Sequence, residues 1–401
     1  MRLELITTGS ELLLGFTLNT HVNYLARQLA TRGLRLDRHL TIGDDPAGMR
    51  AVVADALARA DILLITGGLG PTSDDITRDV VAELLGRPLQ LDETVAAAIR
   101  ERFAKRGRVM PEKNLVQAMV PEGAHVLSNP HGTAPGLAIP HEGKLVVLLP
   151  GPPRELHPMF ENHVLPLLPK GEQLDCRVLK TASLPESQVE QMVAPVLADL
   201  PGLELGYCAR PGEVEVRVVG VHAAEAERRV RAALGEHVFG TGDERLEEVV
   251  VRELTLAGKT VATAESCTGG LMANRLTNVS GSSAVFVAGW VTYSNAAKVR
   301  DVDVREETLR QHGAVSEPVA REMAEGARQR SGADYALSAT GIAGPTGGTV
   351  EKPVGLVFIG LVTPTGTQVQ RHVVGFERET FKWFVSQTAL DLLRRELLLV
   401  L

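Results

Sequence analysis

The apolar positions of the chain fall into two rhythms that alternate from its first residues onward. A short apolar run, "LELITTG" (3–9), ends in glycine. In "NTHVNYLARQLATRG" (19–33) Val22, Leu25, Ala26 and Leu29 recur at helical spacing, and Gly33 closes the segment. "LRLDRHLTIG" (34–43) alternates, "PAGMRAVVADALARA" (46–60) returns to helical spacing, and "DILLITGG" (61–68) is a continuous apolar run. Helical spacing gathers apolar side chains on one face of a helix, alternation gathers them on one face of a strand, and an unbroken run marks a strand covered on both faces. Strand–helix–strand–helix–strand within about 65 residues predicts right-handed crossovers and a parallel sheet. Ligands of such sheets sit at the carboxyl ends of the strands. Three polar, glycine-rich loops are expected there: "TTGSELLLG" (7–15), "TGGLGPTSDD" (66–75) and "LPGPPRE" (149–155).

The pattern changes near residue 172. "CRVLKTASL" reads as a strand and "PESQVEQMVAPVLADL" as a helix. "LELGYCARPGEVEVRVVGV" reads as a hairpin turning at Pro211-Gly212, and "AAEAERRVRAALGE" as a second helix. A small β-α-β-β-α module over residues 172–240 is comparable with a KH module. The Gly-x-x-Gly clamp that KH domains place on backbone nucleotides is absent at the expected place. The expected role is therefore packing or dimerisation, not nucleic-acid binding. From residue 244 a helix, "DERLEEVVVRELTLAG", opens a second α/β unit that ends in two strands and the amphipathic helix "ETFKWFVSQTALDLLRREL". The fold class is thus α/β in three segments: 1–168, 172–240 and 244–401. No repeat period runs across them.

Length and composition fit this division. The chain has 401 residues, enough for two or three domains, and is 44% hydrophobic and 23% charged. Its net charge of −7 offers no general attraction for nucleic acid or anionic lipid. The three cysteines, Cys176, Cys208 and Cys267, lack metal-ligand spacing and form no disulfide framework, which points to a reducing, cytoplasmic setting. No stretch approaches the ~18 apolar residues of a membrane span. The opening residues, with Glu4 among them, read as a first strand and not as a signal peptide.

Candidate chemistry in the last segment centres on "ESCTGG" (265–270). Taken alone, its serine and threonine are good helix caps, Gly269 and Gly270 permit close packing, and Cys267 is a small apolar filler. Two more polar loops follow apolar runs. "TYSNAAK" (292–298) offers Tyr293, Ser294, Asn295 and Lys298, and "SATGIAGPTGG" (338–348) offers Ser338, Thr340 and Gly341. A strand-to-helix turn points amides and a positive dipole end at an anion or a developing oxyanion, and a lysine in a dry site can lose its proton and serve as a base. The set suits acyl transfer with a serine nucleophile, a lysine base and a main-chain N–H oxyanion hole. None of the three loops contains histidine, which argues against a Ser-His-Asp triad, and His312 reads as a loop residue.

"AESCTGGLMANRLT", "SSAVFVAGWVTYSNAAKVRDVDVREETLRQHGAVSEPVAREMA" and "SATGIAGPTGGTVEKPVGLVFIGL" together resemble the C-terminal domain of the CinA family over residues 245–400. That resemblance implies a nicotinamide mononucleotide amidohydrolase, releasing nicotinate mononucleotide and ammonia without a cofactor. It makes Ser266 the nucleophile or its positioning group and Lys298 the base, with Tyr293 and Thr340 as pocket companions. Cys267 is the rival nucleophile, and Thr268, Gly269, Gly270, Ser294, Asn295, Ser338 and Gly341 are expected around the substrate. Ser266 is preferred because a lysine base matters more to an alcohol than to a thiol already partly ionised near neutral pH.

In the first segment Glu11, Asp74 and Asp75 are oxygen ligands of the kind hard cations take, while Gly67, Gly68 and Gly70 allow backbone to approach phosphate. Both stretches also read as a capped turn and an acidic helix start. Gly9, Ser10 and Thr66 flank them; Lys113, Asn114, Gln117, Asn129, Gly132, Thr133, Gly136, Gly151 and Glu155 come later in the segment. Residues 1–168 resemble the molybdopterin-binding fold and, with "GTAPG" and "LPGPPREL", the N-terminal domain of CinA proteins. The second resemblance implies hydrolysis of ADP-ribose to AMP and ribose 5-phosphate with a divalent metal (magnesium, manganese or cobalt). Many molybdopterin-binding relatives carry Asp before the glutamate; here it is Ser10, which weakens the inference to pterin binding.

The leading expectation is a two-activity hydrolase of pyridine nucleotide salvage, acting on small nucleotides as a homodimer without membrane or direct nucleic-acid contact. The alternatives are a competence or DNA-damage accessory protein and a molybdopterin-binding enzyme of cofactor biosynthesis.

Overall fold

The computed structural model describes residues 1–171 and 175–399, so the 172 boundary expected for the middle segment lies outside the described residues. The chain forms two compact units, Met1–Leu174 and Asp175–Leu401.

In the first unit, strands β1 (Leu3–Thr8), β2 (Arg38–Ile42) and β3 (Ile62–Thr66) form the expected parallel core. A ribbon of β4 (Leu89–Leu91) and β5 (Met119–Pro121) lies apart from the main sheet. Strands β6 (His125–Leu127), β7 (Gly136–His141) and β8 (Lys144–Leu149) complete it in the order β2-β1-β3-β8-β7-β6. β8 is parallel to β3, whereas β7 and β6 are antiparallel additions.

Alternation along the strands feeds two cores. Ile6, Leu63, Ile65, Val146 and Leu148 face helices α3 (Pro46–Arg59) and α4 (Thr77–Leu84), which come after the short α1 (Ser10–Leu13) and α2 (His21–Ala30). Leu5, Leu64, Val147 and Leu149 face α2 and, beyond α5 (Glu93–Ala104), α6 (Pro153–Met159). Covering both faces is why "LELITT" and "DILLITGG" read as unbroken apolar runs.

The second unit begins with the antiparallel sheet β10-β11-β9-β12, made of β9 (Cys176–Ala182), β10 (Glu204–Arg210), β11 (Glu213–Val219) and β12 (Val238–Thr241). The hairpin turns at Pro211-Gly212 as expected. β12 was not expected; it has four residues and a register irregularity at Val238/Gly240, too little pattern to read from sequence. Helices α7 (Glu186–Leu197) and α8 (Ala223–Leu234) pack Val189, Val193 and Val230 against Val214, Val216 and Val218.

The other α/β sheet runs β14-β13-β15-β16-β17. Its strands are β13 (Val261–Glu265), β14 (Phe286–Val291), β15 (Tyr335–Gly341), β16 (Leu356–Val362) and β17 (Thr367–Val373). β14, β13 and β15 are parallel, and β16 and β17 return antiparallel. On one face lie α9 (Leu246–Ala257), α10 (Leu271–Thr277) and α14 (Arg378–Leu398); on the other lies α13 (Glu317–Ser331), with α11 (Asn295–Val302) and α12 (Glu306–His312) beside it.

The middle segment and the last share a core, because Ala182 and Phe239 join the cluster built by α9 and α14. Ser183 Oγ donates to Asp391, and Arg394, almost wholly buried, donates to the Glu236 carbonyl at 2.6 Å.

Candidate active sites at two strand-end clefts

Because β14, β13 and β15 are parallel neighbours, the loops after them leave the same edge of the sheet. Main-chain bonds join them: Ser266 N donates to the Ala339 carbonyl at 2.9 Å, and Thr292 N to the Glu265 carbonyl at 2.8 Å. Lys298, on the first turn of α11, is 1% exposed. Its Nζ donates to Ser266 Oγ at 3.0 Å and to the Thr292 carbonyl at 2.6 Å. Removing the ammonium from water lowers the Lys298 pKa to about 8. Cys267 is buried, and burial pushes its thiol up to about 12. The serine therefore has a hydrogen-bonded amine beside it, and the thiol is held in its protonated form.

Two glycines make the turn possible. Gly269 and Gly270 have φ of +63° and +93°, where a side chain would be strained. Glu265 anchors the start of α10 beyond the turn. It is fully buried, and its carboxylate accepts from Met272 N at 3.1 Å and Ala273 N at 2.8 Å. Sequence reading passed over it; the available signal was an acidic residue ending an apolar strand immediately before a glycine turn.

The other expected residues divide. Thr268 is fully buried, and its Oγ1 has no hydrogen-bond partner among the described residues, so it retains a polar group for a ligand. Thr340 is buried and donates to the Ala314 carbonyl at 2.8 Å, leaving only its acceptor capacity. Tyr293 is exposed, and its hydroxyl accepts from Arg378 Nη2 at 2.8 Å.

Three residues expected at the substrate have structural work instead. Ser338 is fully buried and donates to the Ala320 carbonyl at 2.6 Å, which ties β15 to α13. Gly341 permits close pairing with β16, where an added Cβ would lie 2.7 Å from the Leu356 carbonyl oxygen. Ser294 caps α11 by accepting from Ala297 N at 3.1 Å. Asn295, the next residue, is exposed in a separate surface depression with Arg300 and Glu306.

Two cations were missed because they lie on the last helix, more than a hundred residues from the serine. A Cβ on Gly269 would sit 3.6 Å from Lys382 Nζ, and Arg378 Nη1 donates to the Gly344 carbonyl at 2.9 Å. The first turns of α14 thus bring positive charge to the glycine turn and to Tyr293.

The first unit has a cavity of ≈ 340 Å³ at the carboxyl ends of its central strands. Of the expected residues, Gly9, Glu11, Gly67, Gly68, Gly70, Asp74, Asp75, Gln117, Thr133, Gly151 and Glu155 line it, and Asp44, which sequence reading missed, joins them. Glu155 is buried and accepts from Asn129 Nδ2 at 2.8 Å, while Asn129 Oδ1 accepts from Gly132 N at 2.8 Å. Asn129 and Gly132 therefore position Glu155. Asn114, buried, donates to Gln117 Oε1 at 3.1 Å and acts one residue behind the wall.

Four further expected residues lie off this wall. Ser10 N donates to Asp44 Oδ2 at 2.8 Å, so Ser10 closes a loop. Thr66 Oγ1 is 3.2 Å from His21 Nδ1, Lys113 is exposed, and Gly136 makes room for the Met159 sulfur.

The three carboxylates expected to hold a metal take separate positions around the cavity. Among the described residues no three His, Cys, Asp or Glu side chains come together as ligands for one ion. The reason is local: Asp75 turns back on its own loop, accepting from Thr72 N at 2.9 Å and from the Thr72 hydroxyl. Glu11 and Asp74 remain on the cavity wall. One or two carboxylates plus substrate phosphates are what magnesium-type ions use, so the donors fit an ion completed by substrate and not a closed protein cage.

Known proteins match along the whole chain. A model of the CinA C-terminal domain matches residues 243–397, one of a probable molybdopterin binding domain matches 4–170, and one of the damage-inducible protein CinA KH domain matches 176–240. A putative competence-damage inducible protein of Caldicellulosiruptor saccharolyticus is 46% identical over 409 residues, covering 99% of this chain and 100% of its own. A CinA-like protein of Akkermansia muciniphila is 45% identical, covering 97% of this chain and 96% of its own. The crystal structure of competence/damage inducible protein CihA from Agrobacterium tumefaciens is 45% identical, covers 37% of this chain and 91% of its own, and has a TM-score of 0.36.

Proposed function

The chain belongs to the CinA family, and from that premise we propose that its C-terminal domain deamidates nicotinamide mononucleotide and its N-terminal domain hydrolyses ADP-ribose. The observation that carries the first half is the buried Lys298 amine 3.0 Å from Ser266 Oγ. In its neutral form Lys298 Nζ takes the proton of Ser266 as Oγ adds to the carboxamide carbon. The same nitrogen returns the proton to the departing amine, so ammonia leaves and an ester to Ser266 remains. A water deprotonated by Lys298 then cleaves that ester, regenerating the serine and giving the acid. The Thr292 carbonyl holds the amine in place through these steps. Lys382 and Arg378, beside the glycine turn and Tyr293, supply charge for the substrate phosphate.

For the N-terminal domain the support is the carboxylate- and glycine-lined cavity at the strand ends. Glu11 and Asp74 would hold a divalent ion there, which when bound neutralises phosphate charge and polarises a water. Gly67 and Gly68, both at positive φ, let the main chain approach the phosphates, and the Asn129–Glu155 pair fixes a buried carboxylate in the cavity lining. The metal and the homodimer expected from sequence belong to this proposal.

The deciding experiment follows ammonia release from nicotinamide mononucleotide by the wild type and by Ser266→Ala, Cys267→Ala and Lys298→Ala. Folded but inactive serine and lysine variants beside an active cysteine variant support the serine mechanism. A wild type releasing no ammonia overturns the deamidase reading, and a cysteine variant alone inactive replaces serine by thiol chemistry.

A further inference from the structure

One sizeable cavity of the chain is used by neither proposed reaction. It lies within the second unit, between the Pro211-Gly212 hairpin and the β17–α14 corner, with a volume of ≈ 740 Å³. None of Ser266, Lys298, Tyr293 or Thr340 lines it. Its size falls in the range of small-molecule pockets, of about 300–1,000 Å³.

One wall is aromatic. Phe376 and Phe384 have ring centroids 5.5 Å apart at 54°, and His372 meets Phe384 edge-on at 6.0 Å. Burial lowers the His372 pKa, so its ring is neutral at pH 7, and its Nε2 lies 3.2 Å from Gln370 Oε1. The aromatic wall is half open: Phe376 is 38% exposed, although it is a residue type that burial favours. This leaves ring surface for a planar partner.

The charges are distributed unevenly. Asp391, the carboxylate on the inner side, is 1% exposed and already bonded by Arg394 and by Arg395 at 2.9 Å. Arg395 is likewise committed to Asp391 and to Glu236. At the rim the hairpin residue Arg210 has an exposed guanidinium, 3.4 Å from the partly exposed Glu215. An exposed pair at that distance is weak and easily exchanged for a stronger anion. The cavity thus offers stacking surface and polar edge groups inside and a displaceable cation at the mouth.

We propose that this cavity binds a planar heteroaromatic anion of the nucleoside monophosphate class, its ring against Phe376, Phe384 and His372 and its phosphate at Arg210. Ring stacking on aromatic side chains is favourable and tolerates differences among bases. A guanidinium suits phosphate because it offers paired donors. Gln370 is placed to bond the ring edge. Gly212 of the hairpin packs against Phe384 and Gln387, where an added Cβ would lie 3.0 Å from the Gln387 Cγ.

The test is hydrogen–deuterium exchange on the full chain with AMP, with adenosine and with inorganic phosphate. The readout is local, so binding at the two strand-end clefts is separated from binding here. AMP is expected to slow exchange in residues 204–219 and 367–374, which lie outside the Arg378 and Lys382 region of the C-terminal cleft, adenosine to do so more weakly, and phosphate alone to leave both segments unchanged. Phe376→Ala and Arg210→Ala, both at exposed positions, are each expected to raise the AMP concentration required by about tenfold. The proposal is overturned if AMP up to about 5 mM, where even weak sites fill, leaves both segments unchanged. It is overturned equally if protection persists undiminished in both variants. Phosphate protecting as well as AMP removes the ring from the proposal, and adenosine protecting as well as AMP removes the anion.

Discussion

The two strand-end clefts use the same local parts and finish them differently. Each lies at the ends of parallel strands, bends through glycines at positive φ and places polar side chains where the strands stop. In the C-terminal cleft the reactive groups are dry and already paired: Lys298 is buried and bonded to Ser266, and Glu265 is buried and bonded to two amides. In the N-terminal cleft Glu11 and Asp74 stay exposed, and Asp75, half-buried, is held by its own loop. A base must be desolvated before binding if its pKa is to approach neutrality, whereas carboxylates meant for a cation must stay hydrated until the cation and the phosphates arrive. On the proposed function, one cleft is complete as folded chain and the other is completed by its ligands.

This contrast breaks most sharply at Ser266 and Lys298. Ser266→Ala and Lys298→Ala should each lower kcat for ammonia release by about a thousandfold or more, because each removes a group that acts on the reacting atoms. Cys267→Ala should stay within a few-fold, its thiol being buried and held protonated. Chelation gives the next largest effect and acts on the other cleft alone: EDTA should lower ADP-ribose hydrolysis by about a hundredfold or more and leave ammonia release unchanged. Equal loss in both assays would erase the distinction between the clefts.

The pH profile sharpens the difference. With Lys298 titrating at about 8, the neutral base should rise roughly tenfold from pH 7 to pH 9 and then level, and kcat/KM for ammonia release should rise with it. Stability changes with the same titration. The folded pKa lies below the ordinary 10.5, so between about 8 and 10.5 the unfolded chain binds the extra proton and stability gains as pH rises. Below pH 8 the buried ammonium is a standing cost, and Lys298→Met should raise the melting temperature at pH 7 by a few degrees. A lower melting temperature for that variant would show that the amine's hydrogen bonds outweigh its desolvation.

Smaller effects test the supports. Glu265→Gln keeps shape but loses the charge and one acceptor facing the α10 amides; a loss of about 1–3 kcal/mol in urea unfolding is expected. Ser294→Ala removes only the α11 cap, for about 1 kcal/mol, and should leave ammonia release nearly unchanged. A large loss of activity there would return Ser294 to the substrate.

The sequence by itself determined the parallel strands, the helices around them, the hairpin at Pro211-Gly212 and the polar loops at the strand ends. These arise from periodicity and turn chemistry within a few residues of each position. Local pattern also singled out Ser266, Lys298 and most of the N-terminal cavity wall. It could not separate Thr268, whose hydroxyl has no partner among the described residues, from Ser338, whose hydroxyl is taken by Ala320, because that depends on a helix 18 residues away in sequence. Nor could it find Arg378 and Lys382 beside the glycine turn, or the return of Asp75 to Thr72. Which polar group stays available for a ligand is settled by what packs against it. Partners distant along the chain are chosen by the burial of whole faces, not by the spacing of neighbouring residues.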